Sequence, residues 1–294
     1  MENTRAKTTR NSLILLLTAT IWGMAFVSQS KGMDYMHPFT FNGVRSLIGA
    51  AGILLYILIS RKIAGDKAAK LDWKLNVKAG LLCGIFLTIA STLQQFGIKY
   101  TSVGKAGFIT TLYIIFVPMF GIFLKKKVAP VVWAAAGMAA VGMYLLCMTE
   151  SLRLGAGDIM VFLCAIAFAI QIMTVDHYAA RIDGAVVSCI QFTLCGVVCC
   201  IGALIWGQPT FGQLQEGMGA LLYAGVLSCG VGYTLQIVGQ KGLNPTVAAL
   251  IMSLESVIAT ISGWIAYKIG FLTTDQTLTA RQIAGCVIVF AAVI

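Results

Sequence analysis

Charged side chains are scarce in this chain of 294 residues. They make up 11% of it, against about a quarter in soluble domains, and 59% of the residues are hydrophobic. That excludes an ordinary soluble domain. Acidic groups are the rarest, eleven in all, and no two stand paired inside an apolar segment, so a two-carboxylate acid–base site is missing. There are two histidines, His37 and His177, both expected in loops and neither at metal-ligand spacing from a cysteine. No Ser/His arrangement offers a nucleophile, and no stretch reads as a soluble sensory domain. An enzyme and a receptor both lose their footing, and no cofactor or metal is expected.

Nine cysteines are an odd count, all in apolar segments, and indicate no disulfide framework. Cys195 and Cys199 share a helix face, where small apolar packing accounts for them. Glycine is plentiful instead: 31 residues exceed the ordinary share of about 7%. Gly225, Gly230 and Gly232 do not form a phosphate loop, because no Lys-Ser/Thr follows. In spanning helices, small residues permit close approach.

A mean hydropathy of +0.88 is that of a membrane protein. A span needs about 20 mostly apolar residues. The sequence accommodates ten such segments, near 12–31, 40–60, 77–98, 104–124, 130–149, 155–176, 185–206, 218–239, 245–267 and 280–294. The last is short, and the native chain is expected to run on past Ile294. The first runs through Trp22, Gly23, Phe26 and Val27 past any small-residue cleavage site, so it reads as a retained helix.

The net charge of +10 does not point to nucleic acid, because of where it sits. Twelve of the 21 Lys and Arg fall in the N-terminus (Arg5, Lys7, Arg10), the second loop (Arg61, Lys62, Lys67, Lys70, Lys74, Lys78) and the fourth (Lys125, Lys126, Lys127). The alternate loops offer Lys31 and Lys99, with Lys105 at the next helix start. This bias predicts a cytoplasmic N-terminus.

The chain also repeats itself. Thr92-Leu93-Gln94-x-x-Gly97 recurs 142 residues later as Thr234-Leu235-Gln236-x-x-Gly239, and the same shift carries Ala106 to Ala248, Ile109 to Ile251, Leu112 to Leu254 and Gly121 to Gly263. Units of 140–150 residues hold five spans each. An odd number means the second unit enters the bilayer from the opposite side, the inverted repeat of many secondary transporters. The expected fold is an all-α polytopic membrane protein of ten helices, with residues 1–150 and 151–294 as the two repeats.

Several pieces resemble the ten-helix EamA-type carriers of the drug/metabolite transporter superfamily. They are Trp22-Gly23-x-x-Phe26, Pro38 with Arg45, Tyr100-Thr101-Ser102 leading to Ala106-Gly107-Phe108, Phe116-Val117-Pro118, Ser253-Leu254-Glu255-Ser256-Val257, and Leu278-Thr279-x-x-Gln282-x-x-Gly285. The resemblance covers nearly the whole chain and implies export of a small organic metabolite, amino-acid-like or drug-like. It also implies a cavity lined by spans 1, 3, 4, 6, 8 and 9. Two departures stand out. Lys125-Lys126 and Asp275-Gln276 replace the Gly-Glu that closes the fourth and ninth helices in many members. No acidic residue lies between Leu13 and Ser30, so the proton mechanism of the four-helix relatives does not carry over.

Few polar groups lie inside the spans. An ionisable one costs roughly 2.5–3.5 kcal/mol or more at membrane depth and normally faces the bundle interior. Glu255, near the centre of the ninth span, is a candidate for substrate or proton contact, or a protonated packing residue. Arg45 either attracts an anion at the outer mouth, or snorkels to the headgroups or bridges helix ends. Lys105 could snorkel, pair or line the cavity. Gln94 and Gln236 are repeat mates that either bond across helices or bind substrate. Tyr113 is the mate of Glu255, and Trp22 that of Phe168. Their rings could stack on a ligand or screen a cation. Taken together, the expectation is a secondary transporter working by alternating access, with an uptake carrier or uncoupled facilitator as the alternative, not an enzyme, in the cell's cytoplasmic membrane, partnered by lipid and a small-molecule substrate, with protons as a candidate coupling ion. Its assembly is expected to be a monomer or homodimer.

Overall fold

A computed structural model of the protein describes residues 2–65, 71–124, 129–147 and 155–293. Within them the regular structure is helical and contains no strand. Eight helices are long and apolar enough to cross a membrane: α1 (Ala6–Gly32), α2 (Pro38–Ala64), α3 (Trp73–Ile98), α4 (Val103–Phe123), α6 (Ala156–Tyr178), α7 (Gly184–Gly207), α8 (Met218–Gln240) and α9 (Pro245–Lys268). Two more, α5 (Pro130–Cys147) and α10 (Ala280–Val293), hold shorter apolar stretches. Each expected segment falls on one of these ten.

Polar residues start the helices where the apolar runs begin. Asp72 accepts from the Leu75 amide, Ser102 from Lys105, Asp183 from Ala185 and Val186, and Asn244 from Thr246, each satisfying an orphan donor of the first turn. Pro38 and Pro245 occupy the first helical turn, where a missing N–H costs nothing. The helix that carries the first span begins at Glu2, because no breaker separates the basic stretch from the apolar run. One expectation is corrected. His177 lies in the last turn of α6 and not in a loop.

Contacts among the connections sort the helix ends into two faces. On one, Asn11 donates to the Lys241 carbonyl at 2.8 Å, the Lys241 ammonium to the Ile182 carbonyl at 3.2 Å, and the Asp183 amide to Asn76 at 2.9 Å. On the other, His37, Phe39, Phe96 and Trp206 cluster with ring centroids 5.0–5.7 Å apart. Such aromatics suit a membrane–water interface. The first face holds the N-terminal ends of α1, α3 and α7 and the connection into α9. The basic loop positions Lys67, Lys70 and Lys125 to Lys127 lie outside the described residues.

Across the middle of the chain the packing is reciprocal. Helix α1 packs on α8 and α9, while α6 packs on α3 and α4; α2 meets α8 as α7 meets α3. The pairs α2/α7, α4/α9 and α5/α10 pack on each other.

Candidate functional site

Helices α4 and α9 are each interrupted at mid-length, at corresponding points. In α4 the helix breaks at Leu112, just before Tyr113; in α9 it breaks at Ser253 and Leu254, just before Glu255. Short-range bonds tighten both turns, Leu112 N–H to the Ile109 carbonyl at 3.2 Å and Leu254 N–H to the Ile251 carbonyl at 3.3 Å. Nearby hydroxyls take up local carbonyls: Thr111 donates to Phe108 at 2.9 Å, Ser253 to Leu250 at 2.7 Å and Ser256 to Ser253 at 2.8 Å. Such hydroxyls compete with the helical ladder and bend it. Irregular backbone at membrane depth is tolerated where protein or a cavity surrounds it.

At these breaks the Tyr113 hydroxyl donates to Glu255 Oε1 at 3.1 Å, joining residues 142 positions apart. Both are buried. They line a narrow internal cavity together with Trp22, Arg45, Gln94 and Gln236. Six of the seven residues singled out in the sequence therefore meet in one place. The cavity volume is about 30 Å³. That is room for a water, and about a tenth of the smallest small-molecule pockets. The helices stand closed around it.

Each side chain has an identifiable support. Arg45 donates from Nε to Asn42 Oδ1 at 3.0 Å and lies over the Phe41 ring at 5.4 Å; it is 5% exposed. Asn42 is held in turn by Ser91 at 3.1 Å and Cys199 at 3.2 Å. Gln94 donates to Thr110 at 3.2 Å and Gln236 to Gln171 at 3.1 Å, so both bond across helices while facing the cavity. The Trp22 ring tilts against Tyr233 at 4.5 Å, and Tyr233 meets Phe192 edge-on at 5.0 Å. Phe168, the mate of Trp22, lines the same cavity.

Four lining atoms are buried without a partner: the Trp22 and Gln171 N–H donors and the Gln29 and Gln236 carbonyl acceptors. Buried polar groups are normally satisfied, and these four atoms leave hydrogen-bonding capacity unused around one cavity. The charges are also unmatched. Two ion pairs occur among the described residues, Lys31–Asp34 and Lys105–Asp158, and neither involves Arg45 or Glu255.

Lys105 is not brought to the cavity. It pairs with Asp158 at 2.6 Å near the α3–α4 connection, where Asp158 also accepts from Thr101 at 2.9 Å and the Gly155 amide at 2.9 Å. Sequence reasoning passed over Asp158, although an acid in the first turn of an apolar helix was a signal. It also passed over Gln29, Gln171, Ser91, Thr110 and Ser228, polar residues in the lining that stand singly in apolar runs.

The chain is similar along most of its length to an uncharacterized transporter of Archaeoglobus fulgidus, 27% identical over 286 residues, covering 95% of this chain and 83% of the relative. The transporter YwfM of Bacillus subtilis is 26% identical over 256 residues, covering 86% of this chain and 84% of its own. One solved crystal structure superposes with a TM-score of 0.73 at 16% identity, covering 97% of this chain and 95% of the other, which is a likeness of fold. The sequence profile of the EamA-like transporter family matches twice, over residues 10–148 and 155–294. With both halves matched, this chain belongs to the EamA-like transporter family and is a multi-pass membrane transporter.

Proposed function

We propose that the protein is a secondary transporter of a small zwitterionic metabolite, an amino acid or close analogue, bound between Arg45 and Glu255 and carried outward by alternating access. One observation carries this reading: a buried guanidinium and a buried carboxyl line the same cavity, and neither has an ion-pair partner among the described residues. A permanently charged guanidinium at membrane depth is costly unless something neutralises it. A substrate carboxylate on Arg45 and its ammonium near Glu255 would do so, with the orphaned atoms of Trp22, Gln29, Gln171 and Gln236 as further contacts. The outward direction is what the family resemblance implies.

The two halves, residues 1–150 and 151–294, act as inverted five-helix repeats in a cytoplasmic membrane with the N-terminus inside. Reciprocal packing and the Tyr113–Glu255 bond between mates support that arrangement. Glu255 is the proposed proton carrier. It loads in one orientation of the cavity and releases in the other.

Competition in proteoliposomes tests the substrate class. Labelled amino acids are counter-transported against each parent, its decarboxylated amine and its des-amino acid. The parent should compete, and the two half-molecules should not. Arg45→Gln should raise KM roughly tenfold or more, about 1.4 kcal/mol, for substrates bearing a carboxylate. Amines that compete as well as their parents would sink the assignment.

A further inference from the structure

The seam between α2 and α8 opens where its close contacts end. At Gly49 and Gly225 the helices nearly touch: a Cβ on Gly49 would meet the Gly225 carbonyl at 2.8 Å, and one on Gly225 the Arg45 carbonyl at 2.9 Å. Further along α2, a Cβ on Gly52 would meet nothing within 4 Å. From there an apolar groove of about 430 Å³ runs along Gly52, Ile53, Val226 and Val231. It shares Tyr56, Thr234 and Val238 with a second, polar basin of about 530 Å³ at the helix ends, so the two are continuous.

Arg61, Arg181 and Lys241 line the basin. Its two carboxylates are turned to other work: Asp72 accepts from the Leu75 amide at 3.0 Å, and Asp183 from Ala185 at 2.9 Å and Val186 at 3.2 Å. Lys241 and Arg181 donate to carbonyls at 3.2 and 3.3 Å and meet no carboxylate among the described residues. From Gly52 to Arg61 the groove and basin span about 14 Å of helix, close to the roughly 15 Å of one leaflet's hydrocarbon.

We infer that this seam binds one anionic phospholipid of the leaflet on the N-terminal face, its phosphate at Arg181 and Lys241 and an acyl chain in the groove beside Gly52. The observations are an apolar channel of one-leaflet length, a cationic end and continuity between them. Basic pockets between helices on the cytoplasmic side attract anionic headgroups, and Arg and Lys hold phosphate oxygens by charge-assisted bonds.

Purified protein exchanged into phosphatidylglycerol or phosphatidylcholine of identical chains, and read by native mass spectrometry, tests this. Wild type should keep one phosphatidylglycerol about tenfold more than phosphatidylcholine, a difference of about 1.4 kcal/mol. The pair Arg181→Gln and Lys241→Gln should erase the preference. Gly52→Leu adds its side chain to the groove at a position where a Cβ meets nothing within 4 Å, so it should lower retention of both lipids while the fold survives, and it decides the matter alone if the charge variants do not fold. Equal retention of the two lipids by wild type, or wild-type retention by Gly52→Leu, overturns the proposal. So does displacement of the phosphatidylglycerol by millimolar inorganic phosphate, which would mark a free-anion site.

Discussion

Glu255 accepts from a phenol and forms no ion pair among the described residues, and this fixes what its substitutions should do. Glu255→Gln retains an acceptor for the Tyr113 hydroxyl but cannot carry a proton. The variant should fold and express normally while its flux loses the pH dependence of the wild type, measured in proteoliposomes with imposed pH gradients. An unchanged profile would make Glu255 structural and the protein an uncoupled facilitator. Glu255→Ala instead strands the Tyr113 donor and should cost about 1–3 kcal/mol of stability, read as a lower melting temperature in detergent. Single residues were unevenly legible. Scarcity exposed Glu255 and Arg45, since any intramembrane charge demands a reason. Tyr113 could be found only as the mate of Glu255. Gln171 and Gln29 could not be told from packing amides, because what sets them apart is unpaired atoms at a cavity, which only geometry reveals. Lys105 was visible, but the choice between cavity and ion pair needed the position of Asp158.

Helix crossings explain why the repeated motif ends in glycine. Gly97 sits where α3 crosses α6, and a Cβ there would meet the Gly157 carbonyl at 2.8 Å; a Cβ on Gly157 would meet the Gly97 carbonyl at the same distance. Gly239 does the same for α8 against α1, 3.2 Å from the Asn11 carbonyl. Gly97→Ala should therefore destabilise by about 1–3 kcal/mol through overpacking, whereas Gly52→Ala, facing open space, should be neutral or mildly stabilising. Melting temperatures of the two variants in one detergent make the comparison. The start of α2 carries a pH dependence of its own. Burial first, then the positive charge of Lys99, holds the His37 imidazole below its usual range, and its neutral Nδ1 accepts from the Phe39 amide at 3.3 Å. A depressed folded value means that this contribution is present above the unfolded pKa of about 6.5 and is lost as pH falls through the folded one. Between pH 7.5 and 5.0, wild type should lose more melting temperature than His37→Asn, which caps at any pH. Matching slopes would show the cap to be unimportant. Element positions were legible because apolar runs and caps coincide. The interruptions of α4 and α9 were not, because the apolar run continues through them, and the π-helical stretch Tyr223–Gly232 has the composition of an ordinary packing surface.

At the scale of the whole molecule, the repeat was readable from a shared offset, and the reciprocal packing of the helices gives that offset a physical counterpart. The membrane orientation rests on charge, and labelling checks it. In a cysteine-free background, Asp34→Cys should react with an impermeant thiol reagent from outside intact cells, and Lys62→Cys only after the membrane is opened. Equal reaction from outside would reverse or abolish the proposed sidedness. The Tyr113–Glu255 bond has a further consequence. In a homodimer of one such five-helix unit, a residue on the dyad would face its own copy, and both partners would have to be the same amino acid. Two phenols there could not supply a carboxyl, and two carboxyls would repel once ionised. Gene duplication followed by fusion removes that constraint, because the two copies can then mutate separately. A phenol on one side and a carboxyl on the other is a pairing open to a single chain and closed to a symmetric homodimer.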